Sequence, residues 1–124
     1  MKYISTEKAP KAVGPYSVAI ESNGMLFCSG QIGINPETNE LESGIEAQTH
    51  RIMKNIEAVL AASRLSLEHV VKTTIFLIDM DDYAKVNELY GSYFPVHKPA
   101  RSCVAVRSLP KGALIEIEVI AAKD

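Results

Sequence analysis

Long apolar runs are missing from this chain. Stretches such as Met25–Cys28 and Ile75–Ile78 break off after a few residues, far short of the ~20 needed to cross a bilayer. The N-terminus, MKYISTEK, carries no apolar block of the kind a secretory leader needs. No membrane partner is expected, and a cytoplasmic location is. Excess positive charge is missing too. Thirteen Lys and Arg against fifteen Asp and Glu leave a formal charge of −2, and no basic stripe is interleaved with aromatics. That argues against binding to nucleic acid or anionic lipid. Cysteine is scarce. Cys28 and Cys103 both lie in apolar, strand-like runs, and two cysteines set no disulfide framework. Buried free thiols in a reducing compartment fit them best. His50, His69 and His97 lack metal-ligand spacing, so no metal is expected. Dinucleotide and P-loop glycine patterns are absent, as are internal repeats, low-complexity tracts and linkers.

What is present is a chain of 124 residues, 47% hydrophobic and 23% charged. That composition suits one globular domain over residues 1–124. Residues 1–16 read as an irregular arm ending in the stiff turn Gly14-Pro15-Tyr16. Ser17–Glu21 and Met25–Ile32 read as strands joined by Asn23-Gly24, a strong hairpin signal. GINPETNEL (residues 33–41) reads as a loop with two turns. Residues 43–64 have helical periodicity through Ile45, Ala47, Ile52, Met53, Ile56, Val59 and Leu60, with Ser43 and Glu46 spaced for a capping box. Val70–Ile78 is rich in β-branched residues and reads as a strand. Asp79 or Asp81 caps a second helix to about Phe94, packed through Tyr83, Val86, Tyr90 and Tyr93. Arg101–Arg107 and Ala113–Ala122 read as two more strands.

This order predicts an α+β fold, a mixed sheet with two helices packed on one face. Simple alternation sends Val71, Ile75 and Leu77 to one side of their strand and Val70, Phe76 and Ile78 to the other. Ile115, Ile117 and Val119 similarly oppose Leu114 and Ile120. Two helices cover one face only, so the other is expected to be covered by a further subunit.

Arg101 is the first candidate for chemistry. It shares a strand face with Cys103 and Ala105, and a half-buried guanidinium needs an anion. Its planar fork matches a carboxylate, of this chain or of a ligand. Glu116 and Glu118 lie on the face opposite Ile115, Ile117 and Val119. They form either an ordinary solvated face or, at an interface, a site where partial drying lifts a carboxylate towards general-base strength. A four-residue hairpin loop, Ser108–Lys111, would set Cys103 across from Glu116 and Arg101 across from Glu118, all on one face. A loop one residue longer would put the arginine and the glutamates on opposite faces. Asn87 lies beside the packed side of its helix, and Tyr16 is held by a stiff turn. Ser29 and Gly30 fall in CSGQIG, where glycine permits close backbone approach. Cys103 has no evident histidine partner, which argues against a thiol nucleophile.

GPYS, SGQIG, VVKTTIFL, VNELY, PARSCV and LPKGALIEIEVIA, in this order over nearly the whole chain, resemble the Rid (YjgF) family, and within it the RidA-type imine deaminases. The resemblance implies a chorismate-mutase-like fold and a homotrimer with intersubunit active sites. It also implies hydrolysis of 2-imino acids, 2-iminopropanoate and 2-iminobutanoate, to 2-keto acids and ammonia, with no cofactor. It carries catalytic roles onto Arg101, Glu116 and Tyr16, and substrate contacts onto Arg101, Cys103, Ser29, Gly30 and Asn87. The loop before Arg101, YFPVHKPAR, is shorter than in some members, which bears on substrate preference. Some relatives are credited with ribonuclease activity, a reading the charge of −2 opposes. A carboxylate-binding regulator without turnover is the alternative function.

Overall fold

The computed structural model describes residues 1–124. In chain order the elements are β1 (Lys2–Ile4), β2 (Ala19–Ser22), β3 (Met25–Ile32), β4 (Ile34–Asn35), β5 (Glu40–Leu41), α1 (Ile45–Ala62), β6 (Val70–Leu77), α2 (Tyr83–Tyr93), β7 (Ala100–Ala105) and β8 (Ile115–Ala122). Six strands form one mixed sheet in the order β1-β2-β3-β8-β6-β7, and β4 and β5 make a separate ribbon. Both helices pack on one face, as the alternation requires. The β2–β3 turn places Asn23 and Gly24 at positive φ, 51° and 74°, the conformation that favours this dipeptide in a two-residue hairpin. No helix is long and apolar enough to cross a membrane.

Arg101–Arg107 and Ala113–Ala122 do not form the expected hairpin. β7 pairs parallel with β6, Arg101 opposite Thr73 and Cys103 opposite Ile75. β8 pairs antiparallel with the other edge of β6 and with β3. The physical reason lies in β6. Apolar on both faces, it takes the interior of the sheet and needs neighbours on both edges. The β6-α2-β7 segment supplies one through a helical crossover, the connection that parallel strands require. Backbone bonds beyond the strand ends lock this order, from Val106 N to Leu77 O at 2.7 Å and from Ile78 N to Leu114 O at 3.3 Å.

Two local expectations also change. The start of α1 has no side-chain cap from Ser43. The preceding residue is Gly44 at φ 90°, a backbone setting that glycine adopts without strain. In β6 the pairing slips between Val70 and Lys72. This bulge turns Val70 into the core, fully buried, and leaves Val71 42% exposed, the reverse of simple alternation. The arm also contributes β1, and the loop at 33–41 contains the β4–β5 ribbon.

The core lies between sheet and helices. Leu26, Val70, Ile75, Leu77, Ile115 and Ile117 meet Ile52, Met53, Ile56 and Leu60 there, all buried. Each such side chain contributes roughly 1.5–3 kcal/mol over leaving it in water. Gln48, buried at the sheet end of α1, donates to Glu42 O and accepts from Leu114 N. It ties the end of β5 to the start of β8. On the other face of the sheet no helix lies. Phe27 and Val104 are nearly half exposed there.

Candidate active site

Arg101 begins the edge strand β7 and shares the helix-side face with Thr73, Val119 and Cys28 in one cross-strand row. Above it runs α2, whose helical spacing brings residues 83, 87 and 90 onto one side. The guanidinium donates through Nη1 to Asn87 Oδ1 at 2.6 Å and through Nη2 to the Tyr83 hydroxyl at 2.9 Å. Its central carbon lies 5.3 Å from the Tyr90 ring centre, within cation–π range. The Tyr90 hydroxyl is engaged elsewhere, 2.8 Å from Thr73 Oγ1. Every partner is neutral. The ion pairs of the chain, Arg51–Glu42, Lys54–Glu57 and Lys123–Glu21, do not include Arg101. The cation therefore borders a cavity of about 300 Å³, shared with Tyr90, Gly91, Phe94 and Lys98, without a counter-ion of its own. Cys103 lies two residues along the same face. Burial raises the pKa of its thiol, and the charge of Arg101 only partly opposes this.

Glu116 lies on the opposite, helix-free face. Its row across the sheet is Val104, Phe76, Glu116 and Ile32, with Glu118 in the next row beside Thr74. The β3 pairing with β8 slips between Cys28 and Gln31, so Ser29 and Gly30 form a bulge. The Glu116 side chain lies over Gly30. A Cβ at that position would sit 2.8 Å from the carboxyl carbon and closer still to an oxygen. Burial, and then the like charge of Glu118, raise the Glu116 carboxyl above the ordinary 4.5. Tyr16, half exposed, lines the same pocket of about 110 Å³ together with Val18, Ile32 and Pro110. The turn behind it is closed by Tyr16 N donating to Gly14 O at 2.8 Å. Ser29 braces that arm, with Oγ donating to Ser17 O at 2.5 Å and N to Val18 O at 2.9 Å.

The seven candidate residues thus fall into two groups. Asn87, Arg101 and Cys103 stand at the helix side of the β7 edge. Tyr16, Ser29, Gly30 and Glu116 stand on the other face, beyond β6. The single-face arrangement of Arg101 with Glu116 is corrected by the β7–β6–β8 order. The sequence reading missed the contacts of Tyr83 and Tyr90 with Arg101. Their signal is the spacing Tyr83, Asn87, Tyr90, which by itself points only to a packed helix side. No group of three or more His, Cys, Asp or Glu is placed to hold a metal ion.

A family model described as Endoribonuclease L-PSP matches residues 6–123. The chain belongs to this family, the YjgF/Rid family. Its relatives include the RutC family protein PH0854 of Pyrococcus horikoshii, 52% identical over 98% of this chain and 97% of that protein. The 2-iminobutanoate/2-iminopropanoate deaminase of Escherichia coli K12 is 43% identical over 98% of each chain. Among solved structures, E. coli TdcF with bound serine superposes with a TM-score of 0.97 at 38% identity, covering 100% of both chains. The fold is thereby that of the Rid proteins.

Proposed function

We propose that this protein hydrolyses short 2-imino acids to 2-keto acids and ammonia, in clefts formed between copies of itself, three to a ring. One observation carries the proposal. An arginine without a counter-ion and a glutamate with raised proton affinity are both set up for chemistry, yet one chain holds them on opposite faces of its sheet. A second copy laid against the helix-free face would cover Phe27 and Val104 and bring its own Arg101 edge towards Glu116. The deaminase name of a 43% identical relative supports the reaction. The bound serine in TdcF, an amino acid with a free carboxylate, supports the ligand class.

In this reaction Arg101 holds the substrate carboxylate through two charge-assisted hydrogen bonds, each contributing about 1.5–3 kcal/mol. The Cys103 backbone N–H is a further donor. The imine carbon is already electrophilic, more so with its nitrogen protonated. Glu116 takes a proton from water as the water oxygen bonds to that carbon, giving a carbinolamine. Glu116 gives that proton to the nitrogen. As the C–N bond breaks, the hydroxyl proton of the carbinolamine passes to the departing ammonia, which leaves as ammonium, and the carbonyl forms with Glu116 again ionised. Tyr16 steadies the substrate or that water, and the Gly30 bulge leaves room for the carboxylate to reach it. The imine supplies its own activation, so positioning and one base suffice.

The test couples a threonine dehydratase and threonine to this protein and follows release of ammonia and 2-ketobutyrate. Faster release with wild type, abolished by Arg101→Lys, which keeps the charge and loses the fork, is expected. No acceleration by wild type overturns the reading. A carboxylate sensor is the second reading, favoured by the preset Arg101 site. It is separated by Glu116→Gln, which as a deaminase variant binds keto acid and no longer turns over. The ribonuclease reading, carried by the family description, has the net charge of −2 against it.

A further inference from the structure

We infer that Tyr83 is a positioning residue of the carboxylate site, fixing the Arg101 guanidinium. The inference rests on the deaminase reading for its substrate and on the following geometry for its substance. An arginine side chain has several rotatable bonds, and its fork binds a carboxylate bidentately only when its plane is fixed. Here the two ends of the fork are fixed independently. Asn87 holds Nη1 and Tyr83 holds Nη2, at 2.6 and 2.9 Å. Tyr83 stands in the first turn of α2, directly after the turn Met80–Asp82, whose own start is fixed by Asp81 N donating to the Asp79 side chain at 2.9 Å. α2 itself starts without a side-chain cap, at Asp82, so of the expected caps Asp79 holds the turn before the helix and Asp81 holds neither.

The chemistry of the hydroxyl makes the second half of the case. Towards Arg101 it acts as acceptor, and its own hydrogen meets no acceptor in the chain. Had the holder been an aspartate or glutamate, it would have neutralised the cation and closed the site. A phenol and an amide fix the geometry while leaving the charge available to a ligand. The Tyr90 ring, 5.3 Å from the guanidinium carbon, closes the site on the core side and forms no hydrogen bond with it.

The experiment compares wild type, Tyr83→Phe and Arg101→Lys. Each is tested for binding of 2-ketobutyrate by titration calorimetry and for hydrolysis of 2-iminobutanoate generated by threonine dehydratase. Tyr83→Phe keeps the ring and removes only the hydroxyl. It is expected to raise both the Kd for 2-ketobutyrate and the KM about ten-fold, with kcat within about two-fold and an unchanged melting temperature. A merely structural tyrosine would lower the melting temperature and leave the KM-to-kcat split unmoved. Tyr83→Phe with wild-type Kd and KM, beside an impaired Arg101→Lys, overturns the inference and leaves the deaminase reading standing. A fall in kcat at constant KM also overturns it. Binding without hydrolysis by wild type overturns the deaminase reading, and the Kd of Tyr83→Phe then decides the inference alone. Neither binding nor hydrolysis by wild type overturns both.

Discussion

Replacing Gly30 with alanine separates activity from stability in a way the structure quantifies. The new methyl would lie 2.8 Å from the Glu116 carboxyl carbon, where carbon atoms ordinarily rest about 3.5–4.0 Å apart. The carboxylate must therefore retreat by about 1 Å. It sits at the far end of a flexible side chain, so the backbone need not move. The cost to the fold is expected to stay below about 1 kcal/mol, at the lenient end for added methyl groups. That corresponds to a melting shift of no more than about 5 °C. A misplacement of about 1 Å at a catalytic base, by contrast, costs on the order of 100-fold in rate. Gly30→Ala should thus lower kcat/KM for 2-iminobutanoate about 100-fold in the dehydratase-coupled assay while unfolding almost as wild type. Activity within about two-fold of wild type would refute the placement of Glu116 as the base.

Glu116→Gln should lower turnover by about 10²–10⁴-fold and make the chain modestly more resistant to urea at pH 7. The sign follows from the raised carboxyl, whose cause is burial and then Glu118. A folded-state value above the unfolded one favours the fold below about pH 4.5 and is lost as pH rises through the folded value. Glutamine has no such loss, so the urea midpoints of variant and wild type should converge as pH falls towards 4. For the same reason wild-type turnover should decline as acid protonates Glu116, at a pH above that for an ordinary glutamate. Cys28, pushed up to about 12 by burial, should resist iodoacetamide at pH 8, where almost none of its thiol is ionised. Mass spectrometry should find Cys103 modified first and Cys28 only after unfolding. Early labelling of Cys28 would contradict its burial.

Much of the fold was legible because its signals are local. Asn23-Gly24 dictates a hairpin whatever surrounds it, and the periodicity from Ile52 to Leu60 admits only a helix. Pairing order was not legible, because it is decided by competition between strands distant in sequence. Nothing local to Ser108–Lys111 reveals that β6 will come between β7 and β8. The bulges at Val71 and at Ser29–Gly30 were hidden for a related reason. Each adds one residue to a strand without changing its composition, and each reverses the facing of what lies beyond. For the candidate site, residue types were readable and placement was not. Arg101 and Glu116 stand out by chemistry, but their separation by a strand and a sheet face follows from topology. The role of Tyr83 was masked because a tyrosine on a packed helix side reads as core until its hydroxyl is located.

The division of the candidate residues between two sides of one sheet has a genetic corollary. On the shared-cleft reading, an Arg101→Ala chain still supplies a sound Glu116 wall, and a Glu116→Gln chain a sound Arg101 wall. Each variant alone is inert. Unfolded together in equal amounts and allowed to reassemble at random, the two should restore about one quarter of the clefts, from parents that have no activity of their own.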